Sequence, residues 1–157
     1  MSPSIHDDYI LRLIRDTARA VSRILGLRTS GQFEAARKVL DSAYRGLLGP
    51  DADVIARLDA QTGARLLADP GKMAVMSDLL HEEAETLRAM GDGDGRIQDQ
   101  SALEYALEAA ILESGNEDIL ARVIRRASGA GAGALEPRHR DMLQKIRMNA
   151  SRNGEGT

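Results

Sequence analysis

Four arginines near the start of the chain, Arg12, Arg15, Arg19 and Arg23, recur at steps of three and four, the spacing of one helical face. Arg15 with Arg19, and Arg19 with Arg23, are like-charge pairs one turn apart, each opposing the helix by roughly 0.2–0.5 kcal/mol. Asp16 is the one carboxylate beside them. Such a face would recognise an anionic partner, for example an acidic groove or peptide. The alternative is that carboxylates of a neighbouring helix neutralise it. Double-stranded nucleic acid fits less well, because the middle of the chain is acidic and would repel it.

Other polar groupings read more blandly. His81 and Glu85 lie one helical turn apart, with Asp78 a turn earlier on the same side. A zinc-protease helix needs a second His where Glu85 stands, so this reads as a solvated face. Residues 92–97, DGDGRI, resemble the middle of a calcium loop with Gly95 as the bend. That register puts Met90 first and Ser101 twelfth, where oxygen ligands and a bidentate Glu are required, so a polar turn is the better reading. His6 and His139 fall in segments that read as mobile. There is no cysteine, no Gly-x-Ser-x-Gly elbow, no phosphate loop and no dinucleotide fingerprint. Most carboxylates fall on predicted solvent faces, where nothing desolvates them for acid–base work. The sequence therefore assigns no catalytic residue, no metal and no cofactor. Arg12, Arg15, Arg19 and Arg23 are the candidate partner-binding residues.

The elements that must position them are helical. Residues 7–28 read as a first helix with a wide apolar face that includes Ile10, Leu11, Ile14, Val21, Ile24 and Leu25. After a turn around Gly31, residues up to Leu48 form a second amphipathic helix carrying Phe33, Ala36, Val39, Leu40, Ala43 and Leu47 on one side, and the rest of the chain reads as organised around it. The turn is short enough to demand antiparallel packing of the two. Asp51 or Asp53 can cap a short helix to about Leu58, and residues 62–68 make another short turn. Asp69-Pro70 is a clean start for a helix to about Met90. Ser101 and Glu104 read as a capping box opening the next helix, and Gly115 as its stop. Asn116, Glu117 and Asp118 start another. No stretch alternates as a strand would. A helical-hairpin domain thus occupies residues 1–127, followed by a Gly/Ala linker at 128–136, a further helix at 137–148 and a disordered tail at 149–157.

A chain of 157 residues is about one domain and needs no metal or disulfide staple. No apolar run approaches the ~20 residues of a membrane span, and the polar, acidic start MSPSIHDDY predicts no secretory signal, which makes a cytoplasmic location the expectation. The net charge of -3 conceals a segregation. Residues 30–118 hold eighteen acidic and eight basic side chains, whereas residues 119–157 hold eight basic and three acidic. A basic end on an acidic body attracts acidic partners or another copy of the chain.

Gly31, Ala36, Leu40 and Ala43 stand where a tetratricopeptide repeat places its turn glycine and the packing residues of its second helix. Gly91 with Ala102, Ala106 and Ala109 repeats the pattern with about six extra residues in the loop. Over residues 7–112 the chain resembles an uncharacterised bacterial family of small helical proteins with tetratricopeptide-like hairpins. The resemblance implies an all-α fold of about 6–7 helices, antiparallel hairpins stacked in a right-handed array, and no chemistry. The favoured reading is a non-enzymatic interaction or scaffold module binding a protein or peptide partner, or itself, away from membranes. The alternatives are a small-molecule-binding protein or enzyme whose site is assembled from scattered helix residues, and an accessory protein docking through its basic C-terminal segment.

Overall fold

A computed structural model describes residues 4–129 and 134–154. Among the described residues there are eight α-helices, one of them a single turn, and no strand. The fold is all-α, and no helix is long and apolar enough to cross a membrane.

The first helix, α1 (Ile5–Thr29), starts earlier than its apolar pattern. Ser4 and Asp7 form a reciprocal capping box, and Asp7 and Asp8 place negative charge at the positive end of the helix dipole. Its apolar face is narrower than expected. Ile10, Thr17 and Ile24, at intervals of seven, are buried, while Leu11 and Leu25 remain half in water. The second helix, α2 (Phe33–Leu48), folds back on α1 after residues 30–32, burying Ala36, Leu40, Leu47 and Leu48. Ala36 has no exposed surface, and its small side chain lets the neighbouring helices come close.

A 3-10 turn (Gly49–Asp51) leads into the single turn α3 (Ala52–Ile55) and the short α4 (Ala60–Leu67). Asp59 caps α4 by accepting from the Thr62 amide. Asp69 then accepts from the Lys72 amide and Pro70 opens α5 (Pro70–Met90), as the Asp-Pro pair predicts. The sixth helix, α6, spans Arg96–Leu112.

The centre of the molecule is the α5–α6 hairpin rather than α2. α5 packs against α1, α2, α4, α6 and α7, and α6 touches α4, α5, α7 and α8. Both helices are buried on several sides. Four fully buried alanines, Ala102, Ala106, Ala109 and Ala110, keep α6 thin enough to lie among these neighbours. Across the pair, Ser77 donates to the Ala102 carbonyl at 2.7 Å.

Helix α6 begins five residues before Ser101, so the expected capping box there does not form. The reversal is made instead by Gly91, which ends α5, and Gly95, which precedes α6, both in the left-handed conformation. Asp94 accepts from the Arg96 amide at 3.0 Å. Asn116 opens α7 (Glu117–Gly129) as expected, accepting from the amides of Asp118 and Ile119.

The C-terminal segment departs furthest from expectation. α7 continues through Ser128 and Gly129 into the expected linker, of which residues 130–133 lie outside the described residues. Leu135 is buried. The last helix, α8, runs from Pro137 to Gly154, six residues beyond Met148 and through most of the expected disordered tail; residues 155–157 lie outside the described residues. His139, expected in a mobile segment, is 1% exposed. Its Nε2 lies 2.9 Å from Glu108 on α6, whose other oxygen accepts from Arg138 at 2.8 Å, and Leu143 and Ile146 are buried beside them. A buried carboxylate held by two basic groups fastens α8 down, which its sparse apolar residues alone would do weakly.

Candidate functional site

The capping box at Ser4 fixes where α1 starts, and the Ile10–Thr17–Ile24 seam fixes which side faces the core. Arg12, Arg15, Arg19 and Arg23 are thereby all turned to solvent. Their neutralisation by a neighbouring helix does not occur. Arg19 makes a loose ion pair with Asp16 at 3.8 Å, both well exposed and worth little. Arg12, Arg15 and Arg23 have no ion pair or side-chain hydrogen bond among the described residues. Arg28, one turn beyond, behaves oppositely: it turns inward and pairs with the buried Glu82 of α5.

Between α1 and α2 runs an open groove of about 550 Å³. Its floor is made of small and apolar side chains, among them Ala20 and Leu13 from α1 and Val39, Ala43 and Gly46 from α2. Arg19, Arg23 and Lys38 stand along it, against one carboxylate, Asp16. The structure thus brings Arg19 and Arg23 of the sequence-identified set into one concave site and leaves Arg12 and Arg15 on the face outside its lining. Lys38 was missed because its position on α2 reads as solvent-facing. Its signal is that it directly precedes Val39 and lies one turn before Ser42, at the border of the apolar side. Three cations over a shallow apolar floor suit an amphipathic segment that carries carboxylates along the edge of its apolar face.

The other candidates are occupied by the protein itself. Asp78 accepts from Arg126 at 2.8 Å and from Arg122 at 3.2 Å, fastening α7 to α5. Glu85 pairs with Arg88, which holds its carboxyl below the usual range. His81 lies 3.9 Å from Asp99, and burial followed by the nearby Arg126 charge lowers its pKa. These residues are not a ligand set, and no group of three or more His, Asp or Glu among the described residues is arranged to hold a metal. In the 92–97 loop, the Asp94 carbonyl accepts from the Arg88 guanidinium at 2.8 Å, and Arg88 also reaches Asp99 at 2.7 Å. Arg88 thereby ties this loop to α5 and to the start of α6.

A larger open groove of about 990 Å³ lies between α7 and α8, floored by Leu120, Ile124, Met142 and Ile146. Its charges, Glu117 and Asp141 against Arg138 and Lys145, balance, so it carries no electrostatic preference. Two of the α8 cations are already engaged within the chain, Arg138 by Glu108 and Arg140 by the Leu135 carbonyl. Lys145, Arg147 and Arg152 of α8 have no ion pair among the described residues.

Comparison with protein-family models, with curated proteins and with solved structures finds no match to this chain.

Proposed function

We propose that the chain is a non-enzymatic helical interaction module of the cytoplasm, built of tetratricopeptide-like hairpins, whose α1–α2 face docks an acidic amphipathic segment of a protein partner. The observation that carries this reading is the unneutralised cationic stripe of α1 beside a concave apolar floor. The paired packing of α1 with α2 and of α5 with α6 supports the hairpin part of the reading. The absence of any chemistry-bearing motif in the sequence supports the non-enzymatic part.

The test is fluorescence anisotropy with a labelled Glu-rich amphipathic helical peptide, titrated with the full chain at several salt concentrations. Three exposed ion pairs at about 0.5–1 kcal/mol each amount to roughly tenfold or more in affinity. Binding is expected to weaken as salt rises and to fall about that much in the combined Arg19→Gln, Arg23→Gln, Lys38→Gln variant. Affinity unchanged by salt, or by the three substitutions, would refute the reading. Light scattering separates one further case. A mass that grows with concentration, and does so less in the triple variant, would make a second copy of the chain the occupant.

A further inference from the structure

A second site lies on the opposite side of α2 from the Arg19–Arg23 groove. It is a cleft of about 250 Å³ walled by α2, α3, α5 and α6, just under the size of a drug-sized ligand pocket. Leu48, Ile55, Met76 and Leu80 make its apolar part, and two tyrosines, Tyr44 and Tyr105, line it as well. The chain has only four Phe and Tyr residues and no Trp, so this is half of its aromatic side chains in one place.

Glu83 enters the same cleft from α5. It accepts a hydrogen bond from the Tyr44 hydroxyl at 2.9 Å and has no ion pair among the described residues. Three other carboxylates drawn toward the interior are paired: Glu82 with Arg28, Asp78 with Arg122 and Arg126, Glu108 with Arg138. Half-buried Glu104, also without an ion pair among the described residues, is not part of this lining. Desolvating a carboxylate is costly unless a cation accompanies it. Burial accordingly pushes the Glu83 carboxyl up, outweighing the Tyr44 bond and the more distant Arg37 charge. Asp41 and Asp53 add negative charge to the lining, and the one basic side chain there, Arg45, is bound to Asp41 at 3.1 Å.

We propose that this cleft binds a small organic cation, a protonated amine carrying an apolar group, with its ammonium at Glu83 and its apolar part between the Tyr44 and Tyr105 rings. Carboxylate and aromatic rings act together in such recognition, because a ring face attracts a cation while also burying its apolar body. The site is independent of the α1–α2 groove, and its failure would leave the protein-docking reading standing.

The probes are phenethylammonium and its uncharged counterpart 2-phenylethanol, each titrated into the ¹⁵N-labelled full chain and followed by amide chemical shifts. Saturable shifts are expected at residues around Tyr44, Glu83 and Tyr105 with the ammonium, at least tenfold tighter than with the alcohol. Glu83→Gln is expected to lose at least tenfold in ammonium affinity while keeping a cooperative melt. Tyr44→Leu, which removes one ring, is expected to weaken the ammonium as well. Equal binding of the two probes, no saturable shift at millimolar ammonium, or an affinity unchanged in folded Glu83→Gln would overturn the proposal.

Discussion

Replacing Gly95 by Ala tests how tightly the central hairpin is packed, and Gly91 provides the matched control. Both glycines sit in the same left-handed region, at φ 68° and 72°, so an alanine at either carries roughly 1–2 kcal/mol of backbone strain. They differ in what the added methyl meets. At Gly91 nothing lies within 4 Å, whereas at Gly95 the new Cβ would stand 2.7 Å from the Ala84 carbonyl oxygen and 2.9 Å from its Cα. Those atoms belong to the backbone of α5 at a fully buried residue and cannot retreat unless α5 and α6 part. Arg88 Nη1, at 2.8 Å, would also have to leave its bonds to Asp94 and Asp99. Overpacking of this kind costs about 1–3 kcal/mol, which brings Gly95→Ala to roughly 2–5 kcal/mol against about 1–2 for Gly91→Ala. In a chain of this size 1 kcal/mol moves the melting temperature by about 2–4 °C. Thermal unfolding followed by circular dichroism should therefore place Gly95→Ala about 4–20 °C below the parent and clearly below Gly91→Ala. Equal losses in the two variants would show that the methyl finds room and that the close approach of α6 to α5 is not what fixes the turn.

Three further outcomes are expected. Glu108→Gln removes the charge held by Arg138 and His139; because the Arg138 side chain is 38% exposed and stays partly hydrated, the cost is that of a charged hydrogen bond, about 1.5–3 kcal/mol, and hydrogen exchange should show α8 amides losing protection before those of α5 and α6. Unchanged α8 protection would mean that Leu143 and Ile146 hold the helix without the ionic contact. Glu83→Gln should raise the melting temperature at neutral pH. The folded-state carboxyl is raised above its ordinary value of 4.5, so its ionisation destabilises the fold above that window, and the advantage of Gln should shrink as pH falls and vanish below the unfolded value. A variant difference that is flat across this pH range would show that the charge is not the cause. Finally, millimolar calcium should leave the melting temperature unchanged, because the register of the 92–97 loop puts Met90 and Ser101 at its end positions, where oxygen ligands are required; a calcium-dependent rise would contradict that reading.

What could be read in the residues, and what could not, divides along one physical line. Asp69-Pro70, Asn116 and the apolar side of α2 act within a few residues of themselves, and each does in the structure what its local pattern predicts. Ser101-x-x-Glu104 is an equally good local signature, yet the helix starts at Arg96, because the contact of Gly95 with Ala84 is a fact about two helices and not about either. The same holds for α8. Residues 149–154 look like a tail by composition, but the helix they extend is secured by Glu108 and His139, 31 positions apart, and no short window contains both. The cleft at Glu83 depends in the same way on Tyr44 and Tyr105 meeting from separate helices. The arginines make the point most sharply. Sequence spacing shows that Arg12, Arg15, Arg19, Arg23 and Arg28 crowd one helix without enough carboxylates of its own. It cannot show which of them another helix will satisfy. The fold answers differently for each: Arg28 is taken by Glu82 in the interior, while Arg12, Arg15 and Arg23 are left with no carboxylate in the described chain. Which charges of a helix are matched is settled by what packs against it, and that information lies in other parts of the chain.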